Sequence, residues 1–232
     1  MQQYDFKPIV VIPAFNEHGR ISQVVHRVLE HVDNVVVIDD GSSDASAAEA
    51  EAAGARVVKH DGNRGKGVAL NTGFADARAQ GCDVVITMDA DGQHDPSDLP
   101  RFLEAYQRTG IPVLIGNRMA ASDTMPLVRR LTNRFMSWLL SREMGQYVPD
   151  TQCGYRLFRC DVIPLVTTHS ERFAAESEIL LHVAERGIRI DAVPVATIYR
   201  DEKSKINPFK DTLRFFQMLS HYRRNRRQRQ RR

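Results

Sequence analysis

Apolar residues fall in short, unbroken runs separated by polar clusters. "PIVVIP" (Pro8–Pro13), "NVVVID" (Asn34–Asp39), "ARVVKH" (Ala55–His60), "DVVITMD" (Asp83–Asp89) and "PVLIGN" (Pro112–Asn117) are rich in Val and Ile, without clear period-two alternation. That pattern predicts strands covered on both faces. Between them, apolar residues recur at helical spacing: Val24, Val25, Val28 and Leu29; Ala69, Leu70, Gly73, Phe74 and Ala77; Leu99, Phe102, Leu103 and Tyr106. Strands alternating with helices predict βαβ units in an α/β fold, a mostly parallel, doubly wound sheet with helices on both faces.

The second half is less regular. Leu127–Leu140 predicts a helix with Leu131, Phe135, Trp138 and Leu139 on its apolar side. "CGYRLFR" reads as a strand, "AESEILLHVAERG" as a helix ending at Gly187, and "IRIDAVPVATIY" as a further strand. "PFKDTLRFFQMLSHYRR" predicts an amphipathic helix, with Phe209, Leu213, Phe216 and Leu219 at helical spacing.

In a doubly wound sheet, ligands bind outside the carboxyl ends of the strands. The polar clusters follow four of the strands there: "AFNE", "DGSSD", "ADGQHD" and "NRM". Four loops therefore converge on one edge. In the third, Asp89, Asp91 and Asp95 fall within seven positions, and such repulsion is tolerated only if something neutralises the cluster. Hard divalent cations such as Mg²⁺ or Mn²⁺ take one or two carboxylates plus substrate phosphate oxygens. Asp89 and Asp91 are the candidate ligands, and Gln93 offers a neutral oxygen. Asp95 and Ser97 are alternatively helix caps. Asp39 and Asp40 sit where an acid accepts hydrogen bonds from a ribose or a base, and Asp44 reads as a cap. "NRGKG" opens a helix with Lys66 between two glycines. Its spacing completes no phosphate-binding fingerprint, so a tight turn and a phosphate cradle both stay open.

Composition changes this picture in three places. The 232-residue chain carries a net charge of +3, but its last twelve residues, "HYRRNRRQRQRR", hold seven arginines and no acid. Without those seven charges the body stands at −4, an ordinary acidic globule with a basic tail. No run of about 18 apolar residues predicts a membrane span. Three cysteines, Cys82, Cys153 and Cys160, are too few and scattered to suggest a disulfide framework or a zinc site, which points to a reduced, cytoplasmic setting.

"VVIPAFNE", "VVVIDDGSSD", "NRGKGVALNTGF", "MDADGQHDP", "GNRM", "DTQCGYRLFR" and "VPVATIYRDEKSK", in this order, resemble glycosyltransferase family 2. Within it the similarity is to the dolichol-phosphate mannosyltransferase and polyprenyl-phosphate glycosyltransferase group, over residues 8 to about 220. The resemblance implies a GT-A nucleotide-diphospho-sugar transferase domain over residues 1–207, an amphipathic helix over 208–222 and an Arg-rich tail over 223–232. It implies that Pro13, Phe15, Glu17, Asp39, Asp40, Lys66, Asp89, Ala90 and Arg118 meet the nucleotide sugar, with Phe15 where the family usually has tyrosine. It implies a metal at Asp89, Asp91 and Gln93, and catalytic roles for Asp91 and Arg118. Arg129, Asn133 (where a serine is common), Arg200 and Lys205 match the acceptor-phosphate positions. "RDEKSK" lacks the glycine of the usual "RxxGxSK" and is one residue shorter.

The expected activity is inverting transfer from a UDP- or GDP-sugar to a polyprenyl phosphate. A phosphate acceptor is already an anion and needs no base. A hydroxyl acceptor needs one, and Asp150 is then the candidate. Glu176 and Glu178 are candidates for sugar hydroxyls, and Arg156 is one of several cations that a diphosphate would attract. The C-terminal helix and tail suggest peripheral membrane contact on the cytoplasmic face, with no specific nucleic acid as partner. The alternatives are a saccharide or other hydroxyl acceptor, and a catalytically weak interaction module bound to membrane or nucleic acid.

Overall fold

The computed structural model describes residues 4–121, 125–165, 174–198, 215–220 and 222–224. The five Val/Ile runs form strands β1 (Pro8–Ala14), β2 (Val35–Asp39), β3 (Arg56–Lys59), β4 (Val84–Thr87) and β5 (Val113–Asn117), joined by β6 (Arg156–Arg159) and β7 (Ile190–Pro194). They make one seven-stranded sheet in the order β3-β2-β1-β4-β6-β5-β7. Only β6 runs against its neighbours, antiparallel to both β4 and β5. Every residue of β2 and β4 is buried, as unalternating apolar runs require, while β3 at the edge is half exposed.

Helices α1 (Ile21–Leu29), α2 (Ser46–Ala52), α3 (Lys66–Ala79), α4 (Leu99–Thr109), α5 (Leu127–Met144) and α6 (Ala174–Glu185) connect the strands. α1, α3 and α4 bury the apolar positions that their spacing predicts, apart from half-buried Leu29 and Tyr106. α5 departs from its pattern: it buries Asn133, Ser137, Leu140 and Ser141 and packs half-buried Met136, Leu139 and Met144 against the core, while Leu131, Phe135 and Trp138 lie outside. Residues 215–220 and 222–224 are helical, with Phe215, Met218, Leu219 and Tyr222 buried and Phe216 outward.

The strand order reverses at β1, with β2 and β3 on one side and β4 on the other, so the loops leaving β1 and β4 diverge and open a crevice between them. The wall of that crevice is stiffened by loop-to-loop hydrogen bonds. Asn16, at φ +54°, accepts on Oδ1 from the Ser43 N–H (2.9 Å) and donates its own N–H to Ser42 Oγ (2.9 Å). The Glu17 N–H donates to Ser46 Oγ (2.7 Å) and the Gly19 N–H to Glu49 (2.7 Å). Asp44 accepts from the Ser46 N–H, and Asp95 caps the short helix that starts at Pro96 by accepting from the Ser97 N–H.

The expectation of uniformly free cysteines is corrected. Cys82 and Cys160 form a disulfide, with Cα atoms 6.3 Å apart despite a sequence separation of 78. Antiparallel pairing of β4 with β6 places the residues flanking Val84 and Arg159 side by side, and the Cys160 N–H donates to Asp83 O (2.8 Å). Spacing along the chain hid a register that only the sheet reveals. Cys153 is free and buried, and burial pushes its thiol up to about 12. Native protein is therefore expected to be silent to Ellman's reagent at pH 8. Unfolded without reductant it should titrate one thiol, and with reductant three. Three thiols without reductant would disprove the Cys82–Cys160 bond.

Candidate active site

Lys66 is the first residue of α3, and its ammonium meets two carboxylates from distant parts of the chain. Nζ lies 2.5 Å from Asp89 Oδ1, just past β4, and 2.7 Å from Glu176 Oε1 in the first turn of α6. Burial opposes charge on Lys66, yet the Asp89 and Glu176 carboxylates outweigh it and its pKa is raised. Burial likewise opposes charge on Asp89, but Lys66 and the adjacent His94 outweigh it and hold the carboxyl well below the usual range. Gly154 makes room for this cluster. A Cβ there would stand 2.9 Å from Glu176 Oε1 and 3.0 Å from Asp89 Oδ2, so any side chain would displace the carboxylates.

Asp91 lies two residues further along the same loop. Burial first, then the negative charge of Asp89, raises its pKa, and the Gln93 N–H donates to its Oδ1 (2.9 Å). A carboxylate made harder to ionise by a neighbouring carboxylate is the electrostatic condition that a divalent cation relieves. Among the described residues no group of three or more His, Cys, Asp or Glu is arranged to hold a metal ion. The donor set fits a cation held by two carboxylates and completed by substrate oxygens, the usual arrangement for Mg²⁺. The loop is pinned from above by the segment after β7: the Ile198 N–H donates to Gln93 O (2.9 Å), and the Ala196 N–H to Asp98 (2.8 Å).

The other predicted residues divide into those facing the crevice and those used to build it. Phe15, 42% exposed, follows β1, with half-buried Pro13 before it and Glu17, bonded to Arg20, after it. Asp39, at the end of β2, accepts weakly from the Ser42 N–H (3.3 Å). Ala90 is buried. Asp40 has both oxygens engaged within the protein: Oδ1 by His60 Nδ1 (2.7 Å) and the Arg64 N–H (2.9 Å), Oδ2 by the Gly65 N–H (2.7 Å). Its observed work is to shape the turn that delivers Lys66. Gly41 permits the same turn: at φ +74°, its Cβ would sit 2.4 Å from the Gly62 backbone.

Asp150 is enclosed within the protein. It is 0% exposed, and Arg118 grips both its oxygens, Nε to Oδ2 at 2.7 Å and Nη2 to Oδ1 at 2.9 Å. A carboxylate so enclosed has no open face from which to take an acceptor's proton. Arg118 is correspondingly held at the end of β5. Arg156, expected among the diphosphate cations, is fully buried. It donates to the carbonyls of Cys153 (2.8 Å), Glu176 (2.6 Å) and Thr151 (3.0 Å), tying the Gly154 loop to α6. Arg129 and Asn133 lie on α5, Asn133 one turn before Ser137 on its buried face. Arg200 and Lys205 lie outside the described residues.

Three contributors were not singled out from the sequence. His60 extends Asp40 to Thr72, with Nε2 3.0 Å from Oγ1. His94 is buried against Tyr155, with Nε2 3.4 Å from Asp89 Oδ2. Gly154 carries no chemistry, so only its surroundings reveal it. His94 alone had a sequence signal, as an imidazole inside an acidic loop.

A family profile described as glycosyl transferase family 2 matches residues 9–164. A dolichyl-phosphate hexose transferase of Haloferax volcanii is 32% identical over 217 residues, covering 90% of this chain and 91% of that one. A UDP-N-acetylglucosamine–dolichyl-phosphate N-acetylglucosaminyltransferase of Methanococcus voltae is 29% identical, covering 83% and 86%. In the fold, glucosyl-3-phosphoglycerate synthase from Mycobacterium tuberculosis, crystallised with Mn²⁺, uridine diphosphate and phosphoglyceric acid, superposes with a TM-score of 0.68. It is 24% identical, covering 86% of this chain and 72% of that one.

Removing Asp150 strands a buried guanidinium. Asp150→Ala is expected to lower stability by about 3–5 kcal/mol in urea denaturation. A loss of activity with less than about 1 kcal/mol of destabilisation would instead restore Asp150 as a base.

Proposed function

The chain belongs to glycosyltransferase family 2, and from that premise we propose that it transfers a sugar from a UDP- or GDP-sugar to a polyprenyl phosphate, with inversion. The carrying observation is the Lys66–Asp89–Glu176 cluster beside Asp91, at the carboxyl edge of β4. A divalent cation, Mg²⁺ or Mn²⁺, held by Asp89 and Asp91 with Gln93 nearby, supplies Lewis-acid neutralisation of the departing diphosphate.

The protein's own groups do the rest. Phe15 offers its face to the base, Pro13 and Glu17 line the same loop, and Asp39 accepts from the ribose or base. Lys66 would pair with the diphosphate, with Asp89 and Asp91 holding the cation. Arg118, fixed by Asp150, adds charge on the leaving side, and Glu176 orients sugar hydroxyls. The acceptor oxygen attacks the anomeric carbon from the face opposite the leaving diphosphate. Arg129, Asn133, Arg200 and Lys205 hold the acceptor phosphate. Enclosure of Asp150 favours an acceptor that is already an anion over a hydroxyl that must lose a proton. The names of the Haloferax and Methanococcus relatives support the same choice. On this reading residues 1–207 are the transferase domain, and the helix of 208–222 with the tail of 223–232 makes peripheral contact with the cytoplasmic face of a membrane.

Thermal unfolding with UDP or GDP, each with and without Mn²⁺, tests the donor site. One nucleotide at 100 times its dissociation constant should add about 2.7 kcal/mol with metal, and Asp91→Asn should abolish the metal-dependent part. No shift with either nucleotide would defeat the reading. Product analysis with radiolabelled sugar nucleotide then decides between polyprenyl phosphate and saccharide acceptors.

Asp91 also sets a pH dependence. Because its folded pKa is raised, acidification protonates it before an ordinary aspartate, near pH 4, while Asp89 stays ionised. Mn²⁺-dependent nucleotide affinity should therefore fall above the ordinary aspartate range. Affinity that stays flat down to about pH 4 would remove Asp91 from the ligand set.

A further inference from the structure

The turn that delivers Lys66 is held by a side chain with no part in the proposed transfer chemistry. His60 follows β3, and its side chain and that of Asp40 are each 5% exposed. Asp40 follows β2, Thr72 stands in the second turn of α3, and His60 bridges them. Its Nδ1 lies 2.7 Å from Asp40 Oδ1 and its Nε2 3.0 Å from Thr72 Oγ1. Thr72 is in turn fixed by a bond from its hydroxyl to Val68 O (3.0 Å). The His60 backbone joins the same assembly, because its N–H donates to Asp39 O (2.9 Å). One residue thus ties the ends of two strands to the first turns of a helix.

Hydrogen-bond chemistry fixes how the imidazole acts. The Arg64 N–H donates to Asp40 Oδ1 (2.9 Å) and the Gly65 N–H to Oδ2 (2.7 Å). A carboxylate only accepts, so the remaining bond to Oδ1 is donated by an N–H at Nδ1, whatever hydrogen Nε2 shares with the Thr72 hydroxyl. Because His60 and Arg64 share Oδ1, turning the carboxylate away from the Arg64 amide also breaks the imidazole bond. Both side chains are shut off from water, so a group that loses its partner there is left unsatisfied, and the arrangement resists change.

This assembly spaces out the two ends of the donor site. Asp39, held through its carbonyl, is the acid at the mouth of β2, and Lys66 directly follows Gly65 and reaches the Asp89 and Glu176 carboxylates. We infer that His60 is the positioning residue for Lys66: its Nδ1–H locks Asp40 onto the Arg64 and Gly65 amides and so sets the place of Lys66 relative to Asp39. His60 meets no substrate atom and acts only through Asp40. The inference rests on the donor reading for the nucleotide that joins Asp39 to Lys66, while the locking of the turn stands without it.

The two ring nitrogens can be replaced one at a time. The amide nitrogen of asparagine falls where Nδ1 does, and that of glutamine where Nε2 does. His60→Asn therefore keeps the bond to Asp40, and His60→Gln keeps the bond to Thr72. For the full chain, amide hydrogen exchange at Arg64 and Gly65 is followed by NMR without ligand. Dissociation constants of UDP and GDP with Mn²⁺ are measured by calorimetry, and melting temperatures beside them. Exchange at both amides should be about tenfold or more faster in His60→Gln than in His60→Asn, with nucleotide binding weaker by a similar factor. Each variant gives up one buried hydrogen bond, so a purely structural role would make affinity follow melting temperature instead. That ranking, or equal exchange in the two variants, would overturn the inference. Faster exchange in His60→Gln with equal affinity would overturn it too, confining His60 to the fold. Wild type that binds neither nucleotide would defeat the donor reading. The exchange comparison would then still uphold or overturn the locking of the turn.

Discussion

Two carboxylates, Asp89 from the fourth strand and Glu176 from the sixth helix, reach the ammonium of Lys66 from opposite halves of the chain. The ammonium holds Asp89 ionised against the opposing effect of burial, and the surroundings serve to bring the three groups together. Asp40 shapes the turn that starts α3 with Lys66. Arg156 ties the Gly154 loop to α6, and the missing side chain of Gly154 leaves space for both carboxylates. The fourth strand is central and fully buried, so the loop carrying Asp89 and Asp91 leaves a rigid base.

That arrangement explains how one site serves two electrostatic states. With Lys66 between the acids the cluster is compensated, but Asp91 remains disfavoured by its neighbour. On the proposed reading, Asp89 and Asp91 would hold a divalent cation together, and the Lys66 ammonium would then pair with a diphosphate.

The first half of the fold was legible because its strands are buried on both faces, and unbroken Val/Ile runs say so directly. The seventh-strand region and β6 were also visible, but the reversed direction of β6 was not, since direction is a property of pairing. The Cys82–Cys160 bond was hidden for the same reason. At the site, the sequence placed Asp89 and Asp91 after a strand and Lys66 at a helix start, but not the contact between Lys66 and Asp89. For Asp40 and Asp150 the sequence shows a carboxylate without showing the His60, Gly65 and Arg118 groups that hold it. α5 was read correctly as amphipathic, yet amphipathicity does not state which face meets the protein. The hydroxyls of Ser137 and Ser141 decide that, by bonding to a loop that closes against them only in three dimensions.

The most direct measurement is anomalous X-ray diffraction from crystals grown with Mn²⁺ and the preferred nucleoside diphosphate. The account predicts one manganese at Asp89 and Asp91, joined to the diphosphate, with Lys66 turned from Asp89 toward a phosphate oxygen. Nucleotide bound with no anomalous peak at that cluster, or with the Lys66–Asp89 pair unchanged beside the metal, would contradict it.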